Sequence, residues 1–438
     1  MKIHFIGIGG IGVSALAQYY LEKGYQISGS DLASSEITQA LKKKGAQISI
    51  GPHSPQNLTP EVKQVIYSPA IRPDNPELEE ARKGKIKIQS YPEALGELTK
   101  KYWTIAVSGT HGKSTTTAMI GLLLEKAGFD PTVIVGTKLK EWGDSNCRVG
   151  KSKYLVIEAD EWQASFLNYW PKIIVLTSIE REHLDYFQSL NHILNIYREY
   201  TSHIPEDGVL VANKADNNIQ KLIKSSPKIK NLKYYFFGQK ETSEIKKILK
   251  IPGEHNVSNA LAALSVAQAL EIPDRVSFQA LSKYRGSWRR FEIIKIHHPK
   301  QFTLINDYAH HPTKVRVTLK AAREKFPKEK IWCIFQPHQY QRTYYLFNDF
   351  VKVFQGAPID RLIITDIYDV AGREKKDIKA KISSEKIIEA IDKPWAIYLP
   401  KEKIVSYLKK NLRGKEIVIL MGAGDIYKLA QDLKKTIN

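Results

Sequence analysis

Gly109-Thr-His-Gly-Lys-Ser114 sits between an apolar, strand-like run, Trp103 to Val107, and a helix-like run, Thr115 to Ala127. A glycine loop in that position reads as a phosphate-binding loop, because glycines let backbone N–H groups turn towards phosphate oxygens. Lys113 supplies a cation, Ser114 offers a hydroxyl to Mg²⁺, and the following helix presents the positive end of its dipole. Val107 stands where the general eight-residue pattern has its first glycine, so the loop is off-consensus. The bland alternative is a plain connection between strand and helix.

The surrounding chain follows the same alternation. Ile3 to Ile6, a helix from Ile11 to Lys23, Gln26 to Ser30, a helix around Ile37 to Lys44, and Ile48 open it. Trp103 to Val107, Tyr154 to Ile157, Ile173 to Leu176 and Val209 to Ala212 form a second series, reached through a helix-like connector, Pro92 to Lys100. Phe302 to Ile305, Ile331 to Phe335, Leu362 to Thr365, Trp395 to Leu399 and Ile417 to Leu420 form a third. Strands alternating with helices predict parallel α/β sheets. At 438 residues the chain is too long for one ordinary core. The expectation is three consecutive α/β domains, 1–100, 101–291 and 292–438: a Rossmann-like first, a central phosphate-loop domain with a mainly parallel sheet, and a Rossmann-like third.

Lys and Arg number 66 against 46 Asp and Glu, a formal charge of +20. That balance suits nucleic acid, an anionic membrane or anionic small substrates, or is simply a lysine-rich solvated surface. No nucleic-acid motif accompanies it. Cys147 and Cys333 are far apart and make no metal-ligand spacing, which fits a reducing cytoplasm. No run of eighteen uninterrupted apolar residues predicts a membrane span. The start loosely imitates a secretory signal, but glycines at 7, 9, 10 and 12 are an odd choice for an apolar helical core.

Gly7-Ile8-Gly9-Gly10-Ile11-Gly12 follows a strand, opens a helix, and is followed by Asp31 at the end of the next strand. This pattern fits a dinucleotide such as NAD(P) or a nucleotide-sugar diphosphate equally, since both need close backbone approach to a pyrophosphate. Glu158-Ala-Asp-Glu161 ends the second strand of the central series, where a carboxylate could reach a Mg²⁺ held by Ser114. His183, in Glu180-Arg-Glu-His-Leu-Asp185, follows the next strand. Its bland reading is a solvated loop histidine.

Ser68 to Glu77, Gly109 to Thr117, Glu158 to Glu161, His183 to Asp185, Gly253-Glu-His-Asn-Val-Ser-Asn259, Arg289-Arg-Phe291, Asp307-Tyr-Ala-His-His-Pro-Thr313, Gln336-Pro-His338 and Met421-Gly-Ala-Gly-Asp425 complete an ordered set spanning nearly the whole chain. With them the chain resembles the Mur ligase family of ATP-dependent amide-bond-forming enzymes, most closely the branch that adds L-alanine to UDP-N-acetylmuramate. The resemblance implies a first domain for the UDP-sugar, a central ATPase and a third domain for the amino acid. It also implies an acyl-phosphate intermediate, ADP and phosphate as products, and a place in peptidoglycan precursor synthesis. ATP would lie on Gly109, Thr110, His111, Gly112, Lys113, Ser114 and Thr115. His255 and Asn259 match an adenine-binding pair, Arg290 a phosphate-contacting arginine and Asp307 a ribose ligand. Ser114, Glu158 and His183 would hold two Mg²⁺ ions, with Lys113, Glu158, His183 and Arg290 catalytic. Gly9, Gly10, Ile11, Gly12, Asp31 and Ser68 would take the UDP-sugar, and His310, His338 and Arg342 the amino acid. The implied protein is a cytoplasmic monomer or dimer with small-molecule substrates, no nucleic acid and no membrane span.

Four positions depart from the family pattern. Ser178 replaces an asparagine, Glu182 an aspartate, Tyr91 an arginine, and Gln339 an arginine usual in the L-alanine branch. The first two read as tolerable changes among the residues that surround and support the site. Glutamine lacks the bidentate, charged fork of arginine, so Gln339 weakens the expectation of L-alanine itself. Alternatives are a recycling relative that attaches a preformed tripeptide, a nicotinamide-dependent oxidoreductase and a nucleic-acid-stimulated NTPase.

Overall fold

The computed structural model describes residues 1–182, 186–229, 232–238, 241–296, 301–370 and 376–435. The first sheet contains β1 (Lys2–Ile6), β2 (Gln26–Asp31), β3 (Gln47–Ile50), β4 (Val62–Tyr67) and β5 (Lys87–Ser90), in the order β3-β2-β1-β4-β5. All its pairs are parallel. The strand order reverses at β1, which opens a crevice at its carboxyl end, and the glycine-rich loop begins there.

The second sheet contains β6 (Trp103–Ser108), β7 (Thr132–Leu139), β8 (Ser145–Arg148), β9 (Tyr154–Glu158), β10 (Ile173–Leu176), β11 (Val209–Asn213) and β12 (Lys233–Phe237). Its order is β12-β11-β10-β6-β9-β7-β8, parallel except for the β7–β8 pair. β10, Ile-Ile-Val-Leu, is buried throughout. A continuous apolar run of that kind suits a parallel strand covered on both faces. β6 stands beside it at the centre, again where the order reverses.

The third sheet contains β13 (Glu292–Ile296), β14 (Phe302–Asp307), β15 (Ile331–Phe335), β16 (Arg361–Ile364), β17 (Ala396–Tyr398) and β18 (Ile417–Met421). Its order is β13-β14-β18-β15-β16-β17, with only the β13–β14 pair antiparallel. Two apolar clusters cover its faces, one around Phe335, Phe350 and Phe354, the other around Ile404, Leu408 and Val418.

These three sheets form two compact units. One comprises Met1–Glu180, Ile193–Ile248 and Asn259–Ser282; the other comprises Arg181–His192, Leu249–Ser258 and Lys283–Asn438. The first two sheets therefore share a unit. Inside it, the helix Ile11–Glu22 is pinned to β8: Gln18 Nε2 donates to Ser145 Oγ at 2.6 Å and to Cys147 O at 3.1 Å. Among the described residues no helix is long and apolar enough to cross a membrane.

Candidate active site

Two glycines in the loop after β6 have no substitute. Gly109 lies at φ +132° and Gly112 at φ +82°, the left-handed side that L side chains rarely adopt. A Cβ on Gly109 would stand 2.2 Å from Thr177 Oγ1, and one on Gly112 2.2 Å from Asn259 Oδ1. The exit of β10 then stitches the loop in place. Thr110 N donates to Ser178 O at 2.8 Å, His111 N to Ser178 Oγ at 3.1 Å, and Glu180 N to Thr110 Oγ1 at 2.8 Å. Ser178 thus holds the backbone of the loop from the end of β10. The loop feeds a 14-residue helix, Lys113–Lys126, whose first turn has no side-chain cap on Gly112. Uncapped N–H groups at a helix start suit an anion.

Lys113 Nζ lies 2.6 Å from Glu161 Oε2 and 3.4 Å from Asp160 Oδ1. Burial opposes the ammonium, but the charges of Glu161, Asp160 and Glu158 outweigh it and hold Lys113 above the ordinary lysine range. Burial is also the main influence on Glu161, whose carboxyl is pushed up to about 7 against the pull of Lys113. Glu158 is paired in register with Val107 at the root of the loop, and its Oε2 accepts from Gly136 N at 2.8 Å. A Cβ on Gly136 would lie 2.6 Å from that oxygen, so a glycine in β7 makes room for the carboxylate. The hydroxyl of Ser114 and the carboxylate of Glu158 are the hard oxygen donors that Mg²⁺ takes, and that donor set fits the ion. His183 lies outside the described residues. Asn259 accepts from Thr116 Oγ1 at 3.3 Å and packs against Gly112, so it braces the phosphate loop. His255 precedes it by four residues on the helix Glu254–Ala269, on the same face.

The N-terminal glycine loop is held by β2. Gly7 N and Ile8 N donate to Ser30 O at 2.9 and 3.1 Å, and Gly9 N donates to Asp31 Oδ2 at 2.8 Å. Asp31 therefore shapes the loop, a task its sequence position did not announce. Gly10 caps the helix Ile11–Glu22 without a side-chain hydrogen bond. Ser68 stands beside Gly7, its Cβ 3.1 Å from where a Cβ on Gly7 would be. Asn146 of β8, unmarked in the sequence, donates to Ile11 O at 2.6 Å and to Ser14 Oγ at 2.9 Å. Tyr91 lies over Gly12, with Cζ 2.9 Å from the position of a Cβ there. Burial, then the nearby Glu158 charge, raises its phenol, which stays a neutral hydroxyl.

In the second unit His310, His338 and Arg342 come together. The His310 and His338 rings are 5.9 Å apart, and His338 stacks on Tyr368 at 5.4 Å. Arg342 Nη1 donates to His338 Nδ1 and to its carbonyl, each at 3.1 Å. His310 is buried, and burial followed by the charges of Lys314 and Arg342 keeps its imidazole neutral. Glu182 belongs to this cluster: Arg342 Nε donates to its Oε1 at 3.0 Å, and Lys314 Nζ lies 3.6 Å from its Oε2. Burial raises its pKa, but Lys314 and Arg342 outweigh that and hold the carboxylate well below its ordinary range. Gln339 is buried at φ +71°, its N–H donating to Tyr368 O at 3.0 Å.

The two adjacent arginines divide their roles. Arg289 is buried, donates to Gly424 O at 3.0 Å and lies over Tyr427 at 4.3 Å and Tyr308 at 4.7 Å, a structural placement. Arg290 lies over the Tyr308 ring at 4.8 Å. Asp307, expected to hold a ribose, has its carboxylate engaged by Phe291 N and Ala309 N, each at 2.8 Å, and by Thr318 Oγ1 at 3.3 Å. In this structure it organises the end of β14.

Comparison with known proteins decides among the remaining readings. Three family models cover the chain in order: the Mur ligase family catalytic domain over residues 2–103, the Mur ligase middle domain over 107–267, and the Mur ligase glutamate ligase domain over 289–424. The chain belongs to the Mur ligase family. Similar Mur ligases include the UDP-N-acetylmuramate–L-alanine ligase of Acetivibrio thermocellus, 41% identical over 98% of this chain and 94% of that protein. The ligase of the same name from Aquifex aeolicus is 38% identical over 100% of this chain and 98% of that protein. Among solved structures, the UDP-N-acetylmuramate-alanine ligase of Thermotoga maritima matches at TM-score 0.80 and 28% identity, covering 100% of this chain and 99% of that one. A murein peptide ligase from Psychrobacter arcticus shares the fold at TM-score 0.75 and 21% identity, covering 100% and 98%.

Proposed function

We propose that this Mur ligase joins L-alanine to the lactyl carboxylate of UDP-N-acetylmuramate with cleavage of ATP to ADP and phosphate. The observation that carries the reading is full-length similarity, 41% identical over 98% of the chain, to a ligase of that name. The functional division is 1–100 for the UDP-sugar, 101–291 for ATP and 292–438 for the amino acid.

In this mechanism the N-terminal glycine loop holds the diphosphate of the sugar nucleotide. The uncapped helix at Lys113 holds the phosphates of ATP, and Lys113 exchanges its carboxylate partners for the γ-phosphate. Ser114 and Glu158 would hold one Mg²⁺, and Glu158 with His183 a second; when bound, the ions would neutralise phosphate charge. The lactyl carboxylate oxygen bonds to the γ-phosphorus as the bond to ADP breaks. The amine of L-alanine then attacks the acyl carbon, loses a proton, and phosphate leaves. Arg342 orients the amino-acid carboxylate, and neutral His310 flanks it together with His338. Positioning and charge neutralisation supply the acceleration.

The test is phosphate release from Mg²⁺-ATP and UDP-N-acetylmuramate with L-alanine, glycine, L-serine or the tripeptide supplied separately. L-Alanine is expected to give the highest kcat/KM. Preference for the tripeptide would replace the acceptor, and no release with any acceptor would sink the ligase reading.

A further inference from the structure

Glu77, in the first turn of the helix Pro76–Lys83, is a carboxylate that is wholly buried in the first domain. A buried charge used only as filling is readily replaced by an apolar residue of similar volume, so its presence asks for a task. Five groups converge on it. Ser30 Oγ donates to Oε2 at 2.6 Å, with His4 Nε2 at 3.1 Å from the same oxygen. Asn57 Nδ2 donates to Oε1 at 2.6 Å, Ser54 N at 3.3 Å, and His53 Nδ1 lies 3.4 Å away. His4 is itself fixed by Ser28 Oγ at 3.0 Å, and His53 Nδ1 lies 3.1 Å from Ser30 Oγ.

Ser30 carries the network to the glycine loop. Its carbonyl receives Gly7 N and Ile8 N, and the next residue, Asp31, receives Gly9 N. We propose that Glu77 is a positioning residue for the nucleotide-sugar diphosphate: through Ser30 it sets the β2 terminus that shapes Gly7 to Gly9, and through Asn57 and His53 it fixes the loop beyond β3. Glu77 touches no substrate. Its carboxylate binds the two loop supports into one rigid group, so that N–H groups of the glycine loop meet a pyrophosphate already oriented. The proposal rests on the reading of the first domain as the UDP-sugar site.

The experiment compares Glu77→Gln, Ser30→Ala and the double variant in the full chain, with melting temperature recorded for each. KM for UDP-N-acetylmuramate is expected to rise about tenfold in each single variant, with kcat at saturation and KM for ATP within twofold of the parent. The double variant is expected to be no worse than the more affected single one, because both changes cut the same connection. An unchanged KM in folded Glu77→Gln, or single effects that multiply in the double variant, would overturn the proposal. Should Glu77→Gln not fold, Ser30→Ala decides, since it removes only one hydroxyl; an unchanged KM there also overturns it. Calorimetric titration of the parent with UDP-N-acetylmuramate separates the two ideas: no binding defeats the reading of the domain, whereas binding with unaffected variants defeats only the role of Glu77.

Discussion

In the proposed mechanism the chemistry turns on Lys113, which is held charged in a buried place by carboxylates and stands at the start of a helix whose uncapped N–H groups suit an anion. Removing one preorganised donor of this kind costs on the order of 100-fold or more in turnover. Lys113→Ala is therefore expected to lower kcat by at least that factor while the Kd for UDP-N-acetylmuramate, measured by calorimetry, stays within about twofold. A folded variant that lost the sugar nucleotide as well would contradict the separation of the two sites. Gln339 poses the acceptor question. Its backbone is fixed by Tyr368 and by Thr343 Oγ1, which donates to its carbonyl at 2.7 Å, so an exchange there alters the side chain alone. A charged hydrogen bond is worth about 1.5–3 kcal/mol, and Gln339→Arg is expected to lower KM for L-alanine about tenfold. A KM that rises would mean that the pocket holds its amino acid another way. The glycine loop that carries Lys113 was legible as a turn between strand and helix, whereas the partners of Glu182, Asn146 and Glu77 were not, since only folding brings them near.

At the level of elements, the helix Tyr91–Lys101 shows both what sequence reveals and what it hides. Ser90 and Glu93 form a capping box, with Ser90 N donating to Glu93 Oε2 at 2.7 Å, and Pro92 lies in the first turn. Those signals mark the start of the helix. Gly96 in its middle looks like a weakness that alanine would cure by about 1 kcal/mol. A Cβ there, however, would stand 2.4 Å from Asn168 O, a backbone atom that cannot step aside cheaply. Gly96→Ala is expected to destabilise by about 1–3 kcal/mol in urea unfolding, and a stabilised variant would refute this packing argument. The missed strands have related causes. Gln64 of β4 and Gln89 of β5 are buried because Gln64 Nε2 donates to Gln89 Oε1 at 2.6 Å, a cross-strand pair that reads as polar loop in one dimension. The apolar run of β7 is interrupted by Gly136, which accommodates Glu158, and β8 is the short polar run Ser-Asn-Cys-Arg that receives the helix Ile11–Glu22.

For the whole molecule, alternation of apolar strands with helices sufficed to announce three α/β sheets, because parallel strands buried on both faces keep continuous apolar runs. That the first two sheets share a compact unit was hidden, since the bonds from Gln18 and Ile11 to β8 join residues 127 to 135 positions apart. The glycine loop after β6 and the N-terminal glycine loop thus lie in one unit, while His310, His338 and Arg342 lie in the other. The central claim is that a carboxylate of one substrate receives the γ-phosphate of ATP before the amino acid arrives at its carbon. Turnover of UDP-N-acetylmuramate carrying oxygen-18 in its lactyl carboxylate, with mass analysis of the released phosphate, tests this most directly. One labelled oxygen is expected in the phosphate of each turnover, and unlabelled phosphate released alongside amide product would contradict the account.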